Sequence, residues 1–234
     1  MTPLLLWLGF HPTTAVGTDL IYAAITKSIG TVAQHAGGTV DWKIVRRLAY
    51  GSVPATGATL VALSYVNGAS PALGNTIKFV LGIALVLTAL AIFLRHYLAD
   101  VLARRFGTPS EARAFALTVF SGALVGVLVS LSSVGAGAIG VTALILLYPR
   151  LPLARIVGSD IAHGVPLTLV AGAGYWWRGD INWSLLGFLL MGSIPGILAG
   201  STLAPRVPET GLRPALAAIL LFVGINSVMH VHLF

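Results

Sequence analysis

The sequence predicts an all-α polytopic membrane protein made of two homologous repeats, inverted relative to each other, with a broken re-entrant Gly-rich element. Three observations predict it. Only 9% of the 234 residues are charged while 56% are hydrophobic, giving a mean hydropathy of +0.91. A 39-residue stretch recurs 141 residues later. An uncharged run of 36 residues is too long for one straight crossing.

A soluble domain carries about 25% charged residues. At 9% there is too little charge to solvate a globule's surface, which excludes a soluble enzyme, a disordered chain and a nucleic-acid-binding domain. The formal charge of +7 does not change this, because the basic residues fall in short clusters between apolar stretches. Lys and Arg gather that way in the cytoplasmic loops of membrane proteins. Cys is absent, so disulfides, thiolate metal sites and cysteine nucleophiles are excluded. No cofactor is expected. The apolar start at residues 1–10 has no basic n-region and no small-residue cleavage site, so it is not read as a signal peptide.

A spanning helix needs about 20 mostly apolar residues. After a short run at 4–10, seven segments meet that pattern: 13–36 (interrupted by Asp19 and Lys27), 48–66, 73–94, 114–149, 152–177, 183–204 and 212–232. The longest polar connection, 95–113, carries Arg104, Arg105, Arg113, Asp100, Glu111 and a Gly107-Thr108-Pro109-Ser110 breaker. It divides the chain into a first transmembrane repeat at 1–94, a cytoplasmic connecting loop at 95–113 and a second repeat at 114–234.

Shifted by 141 residues, 16–54 aligns with 157–195 without a gap, and nine of the 39 positions are identical. Val16-Gly17-Thr18-Asp19 meets Val157-Gly158-Ser159-Asp160. Gly38-Thr39-Val40-Asp41-Trp42 meets Gly179-Asp180-Ile181-Asn182-Trp183. Gly51-Ser52-Val53-Pro54 meets Gly192-Ser193-Ile194-Pro195. The matches fall on Gly, Asp, Trp and Pro rather than on interchangeable apolar residues. Such internal repeats are typical of transporters, whose site lies between the halves near the midplane. Under the same shift 114–147 has no counterpart except at Thr2–Leu6, so the first repeat is expected to lack most of its first element.

The run 114–149 would make a helix of about 54 Å against a hydrocarbon core of about 30 Å. The expected break is Ser132-Ser133-Val134-Gly135-Ala136-Gly137, with two half-helices forming a re-entrant hairpin. Charge placement tests this. One crossing splits the Lys and Arg residues eight to five across the membrane. A hairpin inverts the second half and splits them eleven to two, leaving only Lys78 and Arg178 opposite the rest. The positive-inside rule prefers the hairpin.

The paired Val-Gly-Thr/Ser-Asp and Gly-x-Val/Ile-Asp/Asn-Trp motifs, one per half, and the Gly/Ser-rich break resemble the sulfite exporter TauE/SafE family. The resemblance covers nearly the whole chain. It implies a multi-pass permease of the cell inner membrane that moves sulfite, organosulfonates or other small organic anions, and is not an enzyme. The expected partners are a small anionic substrate and the lipid bilayer, with a homodimer as one assembly, and no nucleic acid.

Candidate residues carry paired readings. Gly135-Ala-Gly137-Ala-Ile-Gly140 spells GxGxxG with Asp160 twenty residues on. That dinucleotide fingerprint needs a preceding strand, and an uncharged membrane-length run precedes it instead. What survives is an anion site at a helix start, where small residues admit a ligand to backbone N–H groups, against close helix packing. Ser132 and Ser133 either donate to sulfonate oxygens or bond their own i−4 carbonyls. Thr18 and Ser159, from the paired motif, join the substrate set.

Lys27 either attracts the anion or forms a structural pair, for which Asp160 is a better partner than Asp19, about 12 Å along the same helix. Asp19 and Asp160 are either proton-coupling carboxylates or helix N-caps. His163, one turn after Asp160, either shares its proton or is satisfied locally. Trp42 and Trp183 read as interface anchors, and Pro54 and Pro195 as kinks. His230 and His232 stand two apart, off one helix face, so no metal site is expected. The competing functions are an intramembrane enzyme using the paired aspartates and a non-transporting accessory subunit.

Overall fold

The computed structural model describes residues 1–66, 70–106, 110–203 and 218–225. His230 and His232 therefore lie outside the described residues. Eight helices run in order: α1 (Thr2–Trp7), α2 (Pro12–Ala36), α3 (Trp42–Ser64), α4 (Pro71–Phe106), α5 (Glu111–Ser132), α6 (Ala136–Leu147), α7 (Leu153–Trp177) and α8 (Trp183–Leu203). Residues 218–225 are also helical, and there is no strand among the described residues. By length and composition Pro71–Leu94, Glu111–Ser132 and Leu153–Trp177 can cross a membrane, and Gly137–Leu147 and Trp183–Ser193 are shorter apolar stretches.

Helix boundaries follow local chemistry. Pro12 opens α2 at its first turn, where a missing N–H costs nothing. Asp41 caps α3 by accepting from the Lys43 and Ile44 amides, so α3 starts six residues before the apolar run expected at 48. Gly38 and Gly179 follow α2 and α7 with φ of 66° and 77°. That left-handed geometry ends helices and suits glycine. Every one of these boundaries has a counterpart 141 residues away: α2 and α7 both start and end at that offset, and α3 and α8 start at it.

One expectation changes and one is met. The polar loop at 95–113 is helical over most of its length, because α4 continues to Phe106. Arg, Leu and Ala in that stretch are strong helix formers, and charge that ends an apolar run does not end a helix. The run 114–149 does break where expected, with Ser133 at φ 58° and Gly135 at φ 103°. Its two parts are α5, with 22 residues, and α6, with 12. The end of α6 comes back beside the early part of α5. The Tyr148 hydroxyl, just past α6, is 2.9 Å from Thr118 Oγ1 in α5, and Arg47 at the start of α3 donates to it at 3.1 Å.

Packing depends on small residues, as expected where lipid removes a hydrophobic drive between helices. A side chain on Gly122 would meet the Leu48 carbonyl, and one on Gly126 the Ser52 carbonyl, so α3 and α5 lie backbone to backbone. Helices α2 and α7 pack antiparallel. Gly17 near the start of α2 lies on the Asp180 carbonyl beyond the end of α7, and Gly158 near the start of α7 lies on the Thr39 carbonyl beyond the end of α2. A core of Val16, Leu20, Ile77, Val125, Val129, Leu167 and Tyr175 joins α2, α4, α5 and α7. Trp42 and Trp183, each the first residue of its helix, are exposed.

Candidate functional site

Three ionisable side chains meet inside the bundle. Asp160 and His163 are 3% and 1% exposed and share one face of α7 with Gly164, at i, i+3 and i+4. Lys27 reaches this face from α2. Its Nζ lies against Gly164, 2.5 Å from where a Cβ would stand. A side chain there would force the end of Lys27 to shift. Asp160 is seven residues into α7, about 10 Å along the helix, and Lys27 is nine residues from the end of α2, about 13 Å. With each helix 25 residues long, both groups sit well inside the bundle.

These groups are incompletely partnered. Asp160 Oδ1 is buried with no hydrogen bond, and it faces Gly140 in the second turn of α6, where a Cβ would collide with it. Lys27 makes no ion pair within 4.0 Å among the described residues. Of its two readings, the structural pair with Asp160 would need a contact that Lys27 does not make here. His163 Nε2 is hydrogen-bonded to Ser52 Oγ at 2.8 Å, while its Nδ1 has no partner. Of its two readings, the bond on display is the local one, to α3 rather than to Asp160. An uncompensated buried polar group costs about 1–3 kcal/mol, and ionisable groups inside a membrane mark substrate or ion pathways by default.

At the α5–α6 break, Ser132 is spent locally. Its hydroxyl donates to the Leu128 carbonyl at 2.7 Å, the i−4 pattern, and accepts from the Val134 amide at 3.2 Å. Ser133, held left-handed, has a buried hydroxyl without a partner. Gly135 caps α6, and nothing lies within 4 Å of a Cβ built on Gly137. The first turns of α6 thus present one open side at Gly137 and one side closed on Asp160 at Gly140.

The remaining candidates lie elsewhere. Neither Asp19 nor Asp160 caps its own helix, since both lie in helix interiors. Asp19 instead caps α1, accepting from the Thr2 amide at 2.8 Å and the Thr2 hydroxyl at 2.6 Å. Thr18 and Ser159 hold loops. The Asn182 amide donates to Thr18 Oγ1 at 3.1 Å, and the Asp41 amide donates to Ser159 Oγ at 2.8 Å. Each half's Gly-x-Val/Ile-Asp/Asn-Trp turn is thereby fastened to the other half's Thr/Ser. Sequence reasoning did not select Ser52 or Gly164. Ser52 was visible only as one letter of the repeated Gly-Ser-x-Pro, and Gly164 as one glycine among 27.

Comparison with known proteins agrees with this architecture. The family model for sulfite exporter TauE/SafE matches residues 1–227. The chain is 36% identical over 229 residues to "Probable membrane transporter protein YjnA" of Bacillus subtilis, covering 97% of this chain and 90% of that protein. It is 26% identical over 225 residues to "Probable membrane transporter protein YdhB" of the same organism, covering 93% and 88%. No solved structure matches it. The chain is a multi-pass membrane transporter rather than an enzyme, and it belongs to the sulfite exporter TauE/SafE family.

Proposed function

We propose that the protein is a secondary carrier of small oxyanions, sulfite or organosulfonates, in the cell inner membrane, built on two inverted repeats at 1–94 and 114–234 joined through 95–113. Support for the inverted arrangement comes from the shared 141-residue helix offsets, the antiparallel α2 and α7, and the reciprocal Thr18–Asn182 and Ser159–Asp41 bonds. Opposed helices related by an internal repeat are the form inverted-topology transporters take, with the site at the repeat interface near the midplane.

The observation that carries the reading is buried Asp160 on α7, whose Oδ1 has no hydrogen bond, near half-buried Lys27 on α2, which makes no ion pair among the described residues. Lys27 supplies the positive charge for an anion. Ser133, Gly135 and Gly137 supply a hydroxyl and open backbone at the start of α6, where N–H groups favour negative charge. A charged Asp160 and an arriving anion compete for one Lys27, so in this reading Asp160 carries a proton while the anion is bound, and His163 is the neighbouring base. Proteoliposome flux tests it. Sulfite and a sulfonate panel should enter faster than chloride, and an imposed proton gradient should change the rate. Equal flux in protein-free vesicles would overturn the proposal.

A further inference from the structure

We infer that a cavity at one face of the bundle binds the phosphate of an anionic lipid headgroup. The cavity, about 380 Å³, opens where α3 and α5 begin and α6 ends, and its charged lining is Lys43, Arg47, Arg150, Asp41 and Glu111. Trp42, exposed at the first turn of α3, sits at the same end of the bundle, as an interface anchor would.

The charges are arranged to hold one oxyanion. Lys43 Nζ and Arg47 Nη2 both donate to a single oxygen, Oε1 of Glu111, at 2.5 and 2.9 Å. Two cations converging on one point form an anion seat, and the carboxylate at that point is an exposed side chain able to swing away. Arg47 is held in place rather than free to follow. Its other nitrogen donates to the Tyr148 hydroxyl, and its guanidinium lies 5.6 Å from the Phe115 ring centroid. Arg150, on the opposite wall, is exposed and makes no ion pair among the described residues. Asp41 is engaged elsewhere, its Oδ1 by the α3 amides and its Oδ2 by Arg155 at 3.8 Å.

A phosphate could reach this seat from lipid or from solution, and the surroundings favour lipid. Leu117, Phe120 and Leu124, at i, i+3 and i+7, are exposed along one strip of α5 that starts one turn after the cavity-lining Ala114, an apolar track for acyl chains below a headgroup. Basic pockets between membrane helices take anionic headgroups in this way.

The test is native mass spectrometry of the intact protein released from nanodiscs of phosphatidylcholine with or without phosphatidylglycerol. The protein should retain one phosphatidylglycerol in preference to phosphatidylcholine. Arg150→Gln should weaken retention about fivefold, with an unchanged melting temperature, because Arg150 is exposed and unpaired. Glu111→Gln should strengthen retention by vacating the seat. Equal retention of the two lipids, or Arg150→Gln and Glu111→Gln without effect, would overturn the inference. Inorganic phosphate that displaces phosphatidylglycerol completely at millimolar concentration would also overturn it, since the ligand would then be a free oxyanion.

Discussion

Lys27 and Asp160 face each other across α2 and α7 without touching, and that gap separates a functional role from a structural one. A structural pair closes to contact distance, since a buried charge with its partner removed costs several kcal/mol. Here Asp160 Oδ1 stands with no hydrogen bond. Asp160→Asn removes the buried charge at nearly constant volume, so it should not lower the melting temperature in detergent, while anion flux falls at least tenfold. Lys27→Ala should abolish flux, and Lys27→Arg should retain part of it. Unfolding of Asp160→Asn, reversed by Lys27→Ala in the same chain, would instead establish a structural pair. The sequence made Lys27 and Asp160 visible because a charge inside an apolar segment is conspicuous. It could not reveal Ser52 beside His163 or Gly164 beneath Lys27, because those contacts exist only once α2, α3 and α7 are packed.

At the scale of single elements, α6 is the unusual one. It is 12 residues long, about 18 Å, too short to cross alone. Its glycines have different jobs. Gly135 takes φ 103°, a conformation that penalises any Cβ by about 1–2 kcal/mol. Gly137 lies inside the helix with open space around it, where Ala is the better helix former by up to about 1 kcal/mol. Thermal melts should therefore show Gly135→Ala losing stability and Gly137→Ala keeping or gaining it. Flux should read differently: Gly137→Val, which blocks the open side, should slow transport without lowering the melting temperature. Full transport by Gly137→Val would remove α6's start from the substrate path. The break itself was legible, because 36 uncharged residues are too long for one straight helix and only 132–137 offered a place to turn, which already leaves the two parts unequal. The extension of α4 to Phe106 was hidden, as charge interrupts hydropathy there without interrupting the helix.

At the scale of the whole molecule, the proposed inverted topology rests on the α5–α6 hairpin. Because Tyr148 comes back to Thr118 and Arg47, the start of α7 shares a face with the starts of α3 and α5. That face gathers Lys43, Arg46, Arg47, Arg113, Arg150 and Arg155, while Arg178, bonded to the Leu63 carbonyl and to Asp180, marks the other. In the proposed inverted arrangement, the positive-inside rule expects the first face in the cytoplasm. Cysteine labelling suits the question, since the chain has no native Cys. Arg206, which the two topologies place on opposite sides, lies outside the described residues, so exposed positions nearer the break are better reporters. Arg113→Cys and Arg155→Cys flank the hairpin, and Tyr65→Cys, at a residue 86% exposed beyond α3, reports the opposite face. In intact cells an impermeant maleimide should label Tyr65→Cys only. In inside-out vesicles it should label Arg113→Cys and Arg155→Cys together. If Arg113 and Arg155 label from opposite sides, the segment crosses once, the halves are parallel, and the antiparallel α2–α7 interface could not hold a site shared by inverted repeats.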